Sequence, residues 1–327
     1  MINRRFAMFA WVNVAYNLFV ILGGAFVRAT GSGAGCGDHW PLCDGQVIPR
    51  DPSVEMMIEF GHRLTSGLAL IGTLIMLIWA WRTFAPGHIL RRSTSVAMAF
   101  MIIEALLGAA LVILQLVAMD TSLNRALMMA LHLVNTFLLL GALTMNAWWA
   151  SGGAPISLQG RGRLLWLLGV GMVGVCLVGA SGAVTALGDT LLHHGALPGG
   201  IAQPITRDAH PLVQMRLFHP IIGLLVGVYT LYLGSMVTRL CPSAPARRFT
   251  IGLVALFFVQ IILGGLTVAL RAPIWLQLLH LFMADLVWIC LVLLSAVALA
   301  KTEERHGHAA IPQSRQAPDT RLRSPGL

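Results

Sequence analysis

The chain has 327 residues, of which 57% are hydrophobic and only 11% charged, and its mean hydropathy is +0.78. Soluble domains carry about 25% charged residues, so a soluble fold with one apolar core is excluded and a polytopic membrane protein is implied. The formal net charge of +9 would suit a nucleic-acid partner, but its distribution along the chain excludes that reading.

Eight apolar runs reach spanning length, at roughly 7–27, 59–81, 95–118, 126–149, 164–187, 213–237, 250–270 and 275–299. The first follows the basic start MINRRF. The RATGSGAGC behind it lacks a clean small-x-small site, so the run reads as a transmembrane helix and not as a removed signal. The connections fall into two alternating sets. One comprises residues 82–94, 150–163 and 238–249 with both termini, and it holds fifteen of the 22 Arg and Lys residues. The other, at 28–58, 119–124, 188–212 and 271–275, holds seven when the adjoining span-edge residues are counted, together with Asp38, Asp44, Asp51, Glu55, Glu59, Asp120, Asp189 and Asp208. The positive-inside rule puts the first set and both termini in the cytoplasm. The basic balance therefore describes topology in a lipid bilayer. The Pro/Arg/Gln-rich tail from about 302 reads as disordered.

The two halves of the chain resemble each other. MIIEALLGAALVILQL (101–116) aligns with FFVQIILGGLTVALRA (257–272), MALHLVNTFLLL (129–140) with QLLHLFMADLVW (277–288), and IEFGHRLTSGL (58–68) with MRLFHPIIGLL (215–225). Polar residues matching in register set this apart from low-complexity apolar sequence. The reading is an all-α integral membrane protein of two pseudo-symmetric four-helix bundles, related as a parallel repeat. Its parts are an N-terminal half at 1–150, a cytoplasmic linker at 151–163, a C-terminal half at 164–300 and a tail at 301–327.

Four histidines fall at comparable places in this pattern. His62, His132, His219 and His280 each lie about 4–7 residues into spans 2, 4, 6 and 8, the helices that run from outside to inside. An ionisable group inside a bilayer is costly and usually faces the bundle interior. One such histidine is as well explained by a hydrogen bond between helices. Four of them, two in each half, suit bis-imidazole ligation of a flat iron porphyrin. A zinc site would want three or four ligands converging on one point. Gly67, Gly108, Gly223, Gly264 and Gly265 offer places where backbone can approach a wide ring, although helix packing also uses such glycines. Arg28, Arg63, Arg125, Arg207, Arg216 and Arg271 lie on the outer side, where guanidinium can pair with porphyrin propionates or face headgroups; Arg63 and Arg216 are the candidates for the propionates.

One position breaks the repeat. The residue one turn before the histidine is Glu59 in the first copy and Arg216 in the second. A carboxylate can take protons or steady developing positive charge, whereas a guanidinium would hold a propionate. Chemistry is therefore assigned to the first pair and a retained cofactor to the second, against the plainer reading of Glu59 as an interfacial acid. Glu104 and Asp285 lie within spans 3 and 8 and read as buried structural hydrogen-bond partners, with proton relay as the competing role.

Of the five cysteines, Cys176 and Cys290 fall in spans and Cys241 is cytoplasmic. Cys36 and Cys43 stand in the first outer loop, TGSGAGCGDHWPLCDGQVIP (30–49), where an oxidising compartment permits a disulfide. With that loop, EFGHR at 59–63, LHL at 131–133, His219 and LHL at 279–281, the chain resembles the haem A synthase family of cytochrome oxidase assembly proteins over residues from about 5 to 300.

The resemblance implies an oxidoreductase of a bacterial inner membrane that converts the C8 methyl of haem O to a formyl group, giving haem A for terminal oxidases. It further implies that His62 and His132 hold the substrate haem, with Glu59 as the catalytic carboxylate, and that His219 and His280 hold a haem b. Cys36–Cys43 matches the disulfide loop of the cysteine-bearing branch. Residues 188–212 lack the second cysteine pair that some members carry there. Haem O synthase, the protohaem farnesyltransferase, is the partner expected to hand over the insoluble substrate. The rival readings are a cytochrome b-like electron carrier with two unmodified haems, a haem-free transporter and a purely structural assembly factor.

Overall fold

A computed structural model describes residues 3–198, 201, 205–206 and 208–300. The tail from 301 and Arg207 lie outside the described residues. Eight helices are present among them: α1 Arg4–Ala29, α2 Val54–Thr83, α3 Ile89–Ile113, α4 Leu123–Ala150, α5 Gly162–His193, α6 Pro211–Leu240, α7 Ala244–Ala269 and α8 Ile274–Ala298. All eight are long and apolar enough to cross a membrane.

Most helices begin before the apolar run that announces them, because polar residues cap them. Ser53, Ser122 and Ser243 each accept a hydrogen bond from the backbone N–H three residues on, which satisfies a donor the helix leaves free. The four histidines consequently sit deeper than the apolar runs suggest. His62, His132, His219 and His280 stand eight, nine, eight and six residues past their helix starts, or about 9–14 Å along the axis.

The third span ends early. Residues 114–118 were expected to continue it, yet α3 stops at Ile113 and the apolar LQLVA turns away with Gln115 and Ala118 at φ +54° and +51°. The carbonyl of Leu111 accepts the N–H of Leu116, closing the helix end. α7 ends in the same manner, with Arg271 at φ +61° and the Thr267 carbonyl accepting the N–H of Ala272. Hydropathy does not register a turn made from apolar residues.

Contacts between helices form two closed rings. α1, α2, α3 and α4 each pack on the next, and α4 returns to α1; α5, α6, α7 and α8 do likewise, with α8 returning to α5. The rings meet through α1, α4, α5 and α8. Phe137 of α4 stacks on Trp288 of α8 at that seam, with ring centroids 5.3 Å apart. Lipid offers helices no hydrophobic incentive to associate, so close approach at small residues holds them together. Gly179 of α5 is one such place, since a Cβ there would stand 2.6 Å from the Phe137 ring. On the outward side, Ile251, Phe258, Ile262 and Val268 of α7 are exposed, as suits a surface facing acyl chains.

Candidate functional site

The ring arrangement puts α2 diagonally across from α4, and α6 diagonally across from α8. The four histidines are thereby carried on facing helices, one pair per ring. In the second ring the imidazoles of His219 and His280 have centroids 6.3 Å apart and planes at 88°. Glycines admit the rings on their flanks. A Cβ on Gly24 of α1 would stand 3.0 Å from His62, one on Gly182 of α5 3.0 Å from His219, and one on Gly264 of α7 3.4 Å from His280. Gly23, Gly24 and Gly182 escape a reading of the sequence, because LGGAF and GASGA look like ordinary packing motifs. Gly67, Gly108, Gly223 and Gly265 have nothing within 4 Å of where a Cβ would be, whereas Gly264 is filled by the His280 ring.

The protein makes little use of these imidazoles. Ser181 Oγ donates to the Val178 carbonyl and lies 3.1 Å from His219 Nδ1. The hydroxyl proton being committed, it accepts from that nitrogen, which leaves Nε2 of His219 with a free lone pair. Among the described residues the Nδ1 atoms of His62, His132 and His280 are buried without a hydrogen-bond partner, that of His132 having Glu104 Oε1 3.4 Å away, although each residue as a whole is only partly buried. Among the described residues no group of three His, Cys, Asp or Glu side chains could hold a metal ion. Paired histidines with unused ring nitrogens suit a metal that brings its own equatorial ligands, which is what a haem iron does. Two imidazoles bound to one metal through bonds of about 2 Å have ring centres about 6 Å apart, and the His219–His280 spacing fits that.

Glu59 is 3% exposed and saturated with donors. The N–H of Cys36 donates to its Oε2 at 2.9 Å, and Arg63 donates to Oε1 from Nε at 3.1 Å and from Nη2 at 2.5 Å. Bonds of this kind from a guanidinium and a backbone N–H hold the carboxylate in place. Arg63 Nη1 reaches on to the carbonyls of His39 and Leu42, both at 2.5 Å. The first outer loop is thus strapped onto α2, and Cys36 and Cys43 are joined by a disulfide within it. The i,i+4 spacing of Glu59 and Arg63 is the signal that could have revealed the pair in the sequence. The strap to loop carbonyls carries no such signal.

At the matching place in the second ring, Arg216 Nε forms an ion pair with Asp189 Oδ1 at 2.9 Å. The apparent exchange of acid for base between Glu59 and Arg216 is therefore compensated within each ring by a partner of opposite charge. Asp189 stands on a different helix, so nothing in the sequence announces it. Arg63 and Arg216, the candidates for propionates, both have protein partners here. Arg28 of α1 crosses between rings, donating to the Ala186 carbonyl and Thr190 Oγ1, both at 2.6 Å, and to Gln277 Oε1 at 3.0 Å. Arg125 holds the carbonyls of Ala118 and Asp120 in the α3–α4 turn.

The two acids within spans differ. Glu104 Oε2 accepts from Asn135 Nδ2 at 2.6 Å, its Oε1 accepts from Thr136 Oγ1, and Oε1 lies 3.4 Å from His132 Nδ1. It is the buried partner that the sequence suggests. Asp285 is fully buried, and neither carboxylate oxygen has a hydrogen-bond partner among the described residues. It does not take the structural role expected of it, because no donor on a neighbouring helix reaches it.

The architecture and the paired histidines define an eight-helix integral membrane protein with one pair of facing histidines in each ring. The chain belongs to the COX15-CtaA family of cytochrome oxidase assembly proteins, whose family model matches residues 7–292. It is 46% identical over 301 residues to a protein named protoheme IX farnesyltransferase from Thermus thermophilus, an alignment covering 92% of this chain and 50% of that relative. It is 45% identical over 113 residues to a heme A synthase of Geobacillus kaustophilus, covering 34% of this chain and 35% of the relative, and 42% identical over 113 residues to one from Lysinibacillus sphaericus, covering 34% and 36%. The chain thus spans about half the length of the Thermus relative, and its alignments cover about a third of each heme A synthase.

Proposed function

We propose that the chain is a haem A synthase, oxidising the C8 methyl of haem O to a formyl group, with both termini in the cytoplasm of a bacterial inner membrane. The observation that carries the reading is the buried Glu59 carboxylate one helical turn from His62, where i,i+3 spacing puts both side chains on one face of α2. As a half-reaction, R–CH3 + H2O gives R–CHO + 4 H+ + 4 e–, with the electrons leaving to an acceptor outside the chain, so a fixed carboxylate beside the ring has work to do as a base. Arg63 and the Cys36 N–H hold it oriented, and the disulfide-closed loop above it limits water.

His62 and His132 grip the iron of the substrate in the first ring. His219 and His280 hold a haem b in the second, which when bound supplies one-electron transfer. Ser181 orients His219 for that role, and the glycines at 24, 182 and 264 leave room for the imidazoles. A protein whose name is that of a protohaem farnesyltransferase contains a stretch 46% identical to this chain. That supports delivery of haem O from such a transferase at close quarters; co-purification in mild detergent is expected, and haem A formed normally with the two kept apart would speak against it.

The test is extraction of pigments from membranes carrying the wild type or Glu59→Ala. The wild type is expected to yield haem A, and the variant to accumulate haem O or a partly oxidised haem. Haem A at the wild-type level from Glu59→Ala would remove the carboxylate from the chemistry. Two unmodified haems b in the wild type would leave an electron carrier instead.

A further inference from the structure

The surroundings of His132 and His280 differ more than the sequence repeat suggests. In the register set by LHL at 131–133 and 279–281, Asn135 and Thr136 correspond to Met283 and Ala284. In the register set by LG at 107–108 and 263–264, Glu104 corresponds to Gln260. The three polar residues of the first ring are in mutual contact. Asn135 Nδ2 donates to Glu104 Oε2 at 2.6 Å and to the Phe100 carbonyl at 3.0 Å. Thr136 Oγ1 donates to Glu104 Oε1 and lies 2.9 Å from the His132 carbonyl. The carboxylate is thereby aimed at the ring of His132, with Oε1 3.4 Å from Nδ1. In the second ring the corresponding positions hold an amide whose Oε1 is buried without a partner among the described residues, a thioether and a methyl group, and His280 Nδ1, which like His132 Nδ1 makes no hydrogen bond there, has no carboxylate facing it.

A charged carboxylate inside a helix bundle is costly unless donors surround it. Here two are supplied from one turn of α4, the same turn that follows the histidine. A single acid in a span reads as packing or relay; an acid with its own two donors, set against a histidine in one ring and absent from the other, is a built device. The geometry points to Glu104 as a positioning residue for His132: from 3.4 Å it faces Nδ1, and when the ring turns to bind metal it takes the Nδ1–H, fixes the tautomer that presents Nε2 to the metal, and makes that imidazole a stronger donor than His280. The inference rests on the reading of His132 as a haem ligand and extends it. Carboxylates behind metal-bound imidazoles orient the ring and raise its basicity. A stronger donor favours the higher oxidation state of the metal, so the first ring is biased toward oxidation and the second is not.

The experiment is a redox titration of the purified haem-loaded protein, with the low-spin ferric electron paramagnetic resonance spectrum of each haem recorded. The second-ring haem serves as internal reference. Glu104→Gln, which keeps the volume and one of the two accepted bonds, is expected to raise the midpoint potential of the first-ring haem and to shift its ferric g-values, with those of the second-ring haem unchanged. Glu104→Asp is expected to fall between wild type and Glu104→Gln. Equal shifts at both haems, or none at either, would overturn the proposal, since a packing defect is general and an idle acid silent. Should Glu104→Gln lose the first-ring haem, binding of added haem to Glu104→Asp decides, with recovery supporting the proposal and none opposing it. Pigment analysis of the wild type keeps the two readings apart, because formation of haem A there stands whatever the titration shows.

Discussion

The backbone N–H of Cys36 points at Glu59 Oε2 from 2.9 Å away, 23 residues earlier in the chain. A loop closed by a disulfide is thereby made part of the setting of a buried carboxylate. Opening that disulfide leaves the donor in place but frees the segment that carries it. A double substitution, Cys36→Ser with Cys43→Ser, should lower the ratio of haem A to haem O in extracted pigment about ten-fold, the weight of one hydrogen bond to a charged group. It should do so less completely than Glu59→Ala. An unchanged ratio would show that the carboxylate needs no help from the loop.

Gly35 tests the same coupling without touching sulfur. A Cβ at this position would stand 2.5 Å from the backbone carbon of Glu55 and 2.6 Å from Glu55 O and Met56 N, the first turn of α2. Backbone cannot rotate aside as a side chain would, so Gly35→Ala must lift the loop. The expected result is an intact disulfide by thiol titration, both haems retained, and a fall in the haem A to haem O ratio comparable to that of the cysteine variant. A normal ratio would mean that the loop can rise without disturbing Glu59.

Arg63 balances the buried charge of Glu59 and straps two loop carbonyls. Removing one member of a buried pair leaves the other uncompensated, at about 3–5 kcal/mol. Arg63→Ala should therefore lower the unfolding temperature in detergent markedly, whereas Glu59→Ala together with Arg63→Ala should recover part of the loss. Arg63→Lys keeps the charge but cannot serve the carboxylate and both carbonyls at once, and it should sit between. Additive losses in the double variant would show that the pair is not coupled.

The spans and the places of the four histidines are legible in the sequence because each rests on a pattern that hydropathy can carry. The loop cysteines belong with them, since they are the two that share one connection between spans. What escapes is whatever the folded rings bring together from distant positions. Asp189 meets Arg216 across α5 and α6, Arg28 ties α1 to α5 and α8, and Asn135 with Thr136 surrounds Glu104 across α3 and α4. None of these pairs has a spacing to recognise. The early end of α3 escapes for a different reason, because LQLVA is apolar and turns on two residues at positive φ. Asp285 is the reverse case: its burial is foreseeable, but the absence of a described donor near it is not.

The seam between the rings offers a stability test separate from the chemistry. Gly179 lets the Phe137 ring lie against α5, and Phe137 in turn stacks on Trp288 of α8 at 5.3 Å. A methyl group at 179 would stand 2.6 Å from one ring carbon and 3.2 Å from another. Because the ring is held on its far face by Trp288, it cannot retreat. Gly179→Ala should cost about 1–3 kcal/mol, as overpacking does elsewhere, read as a lower unfolding temperature with both haem spectra unaltered at low temperature. Phe137→Leu shortens the side chain that would be struck and gives up the stacking. Alone it should destabilise modestly, and combined with Gly179→Ala it should cost less than the sum of the two. Strict additivity would mean that α4 and α5 part easily and that the rings are joined elsewhere, through Arg28.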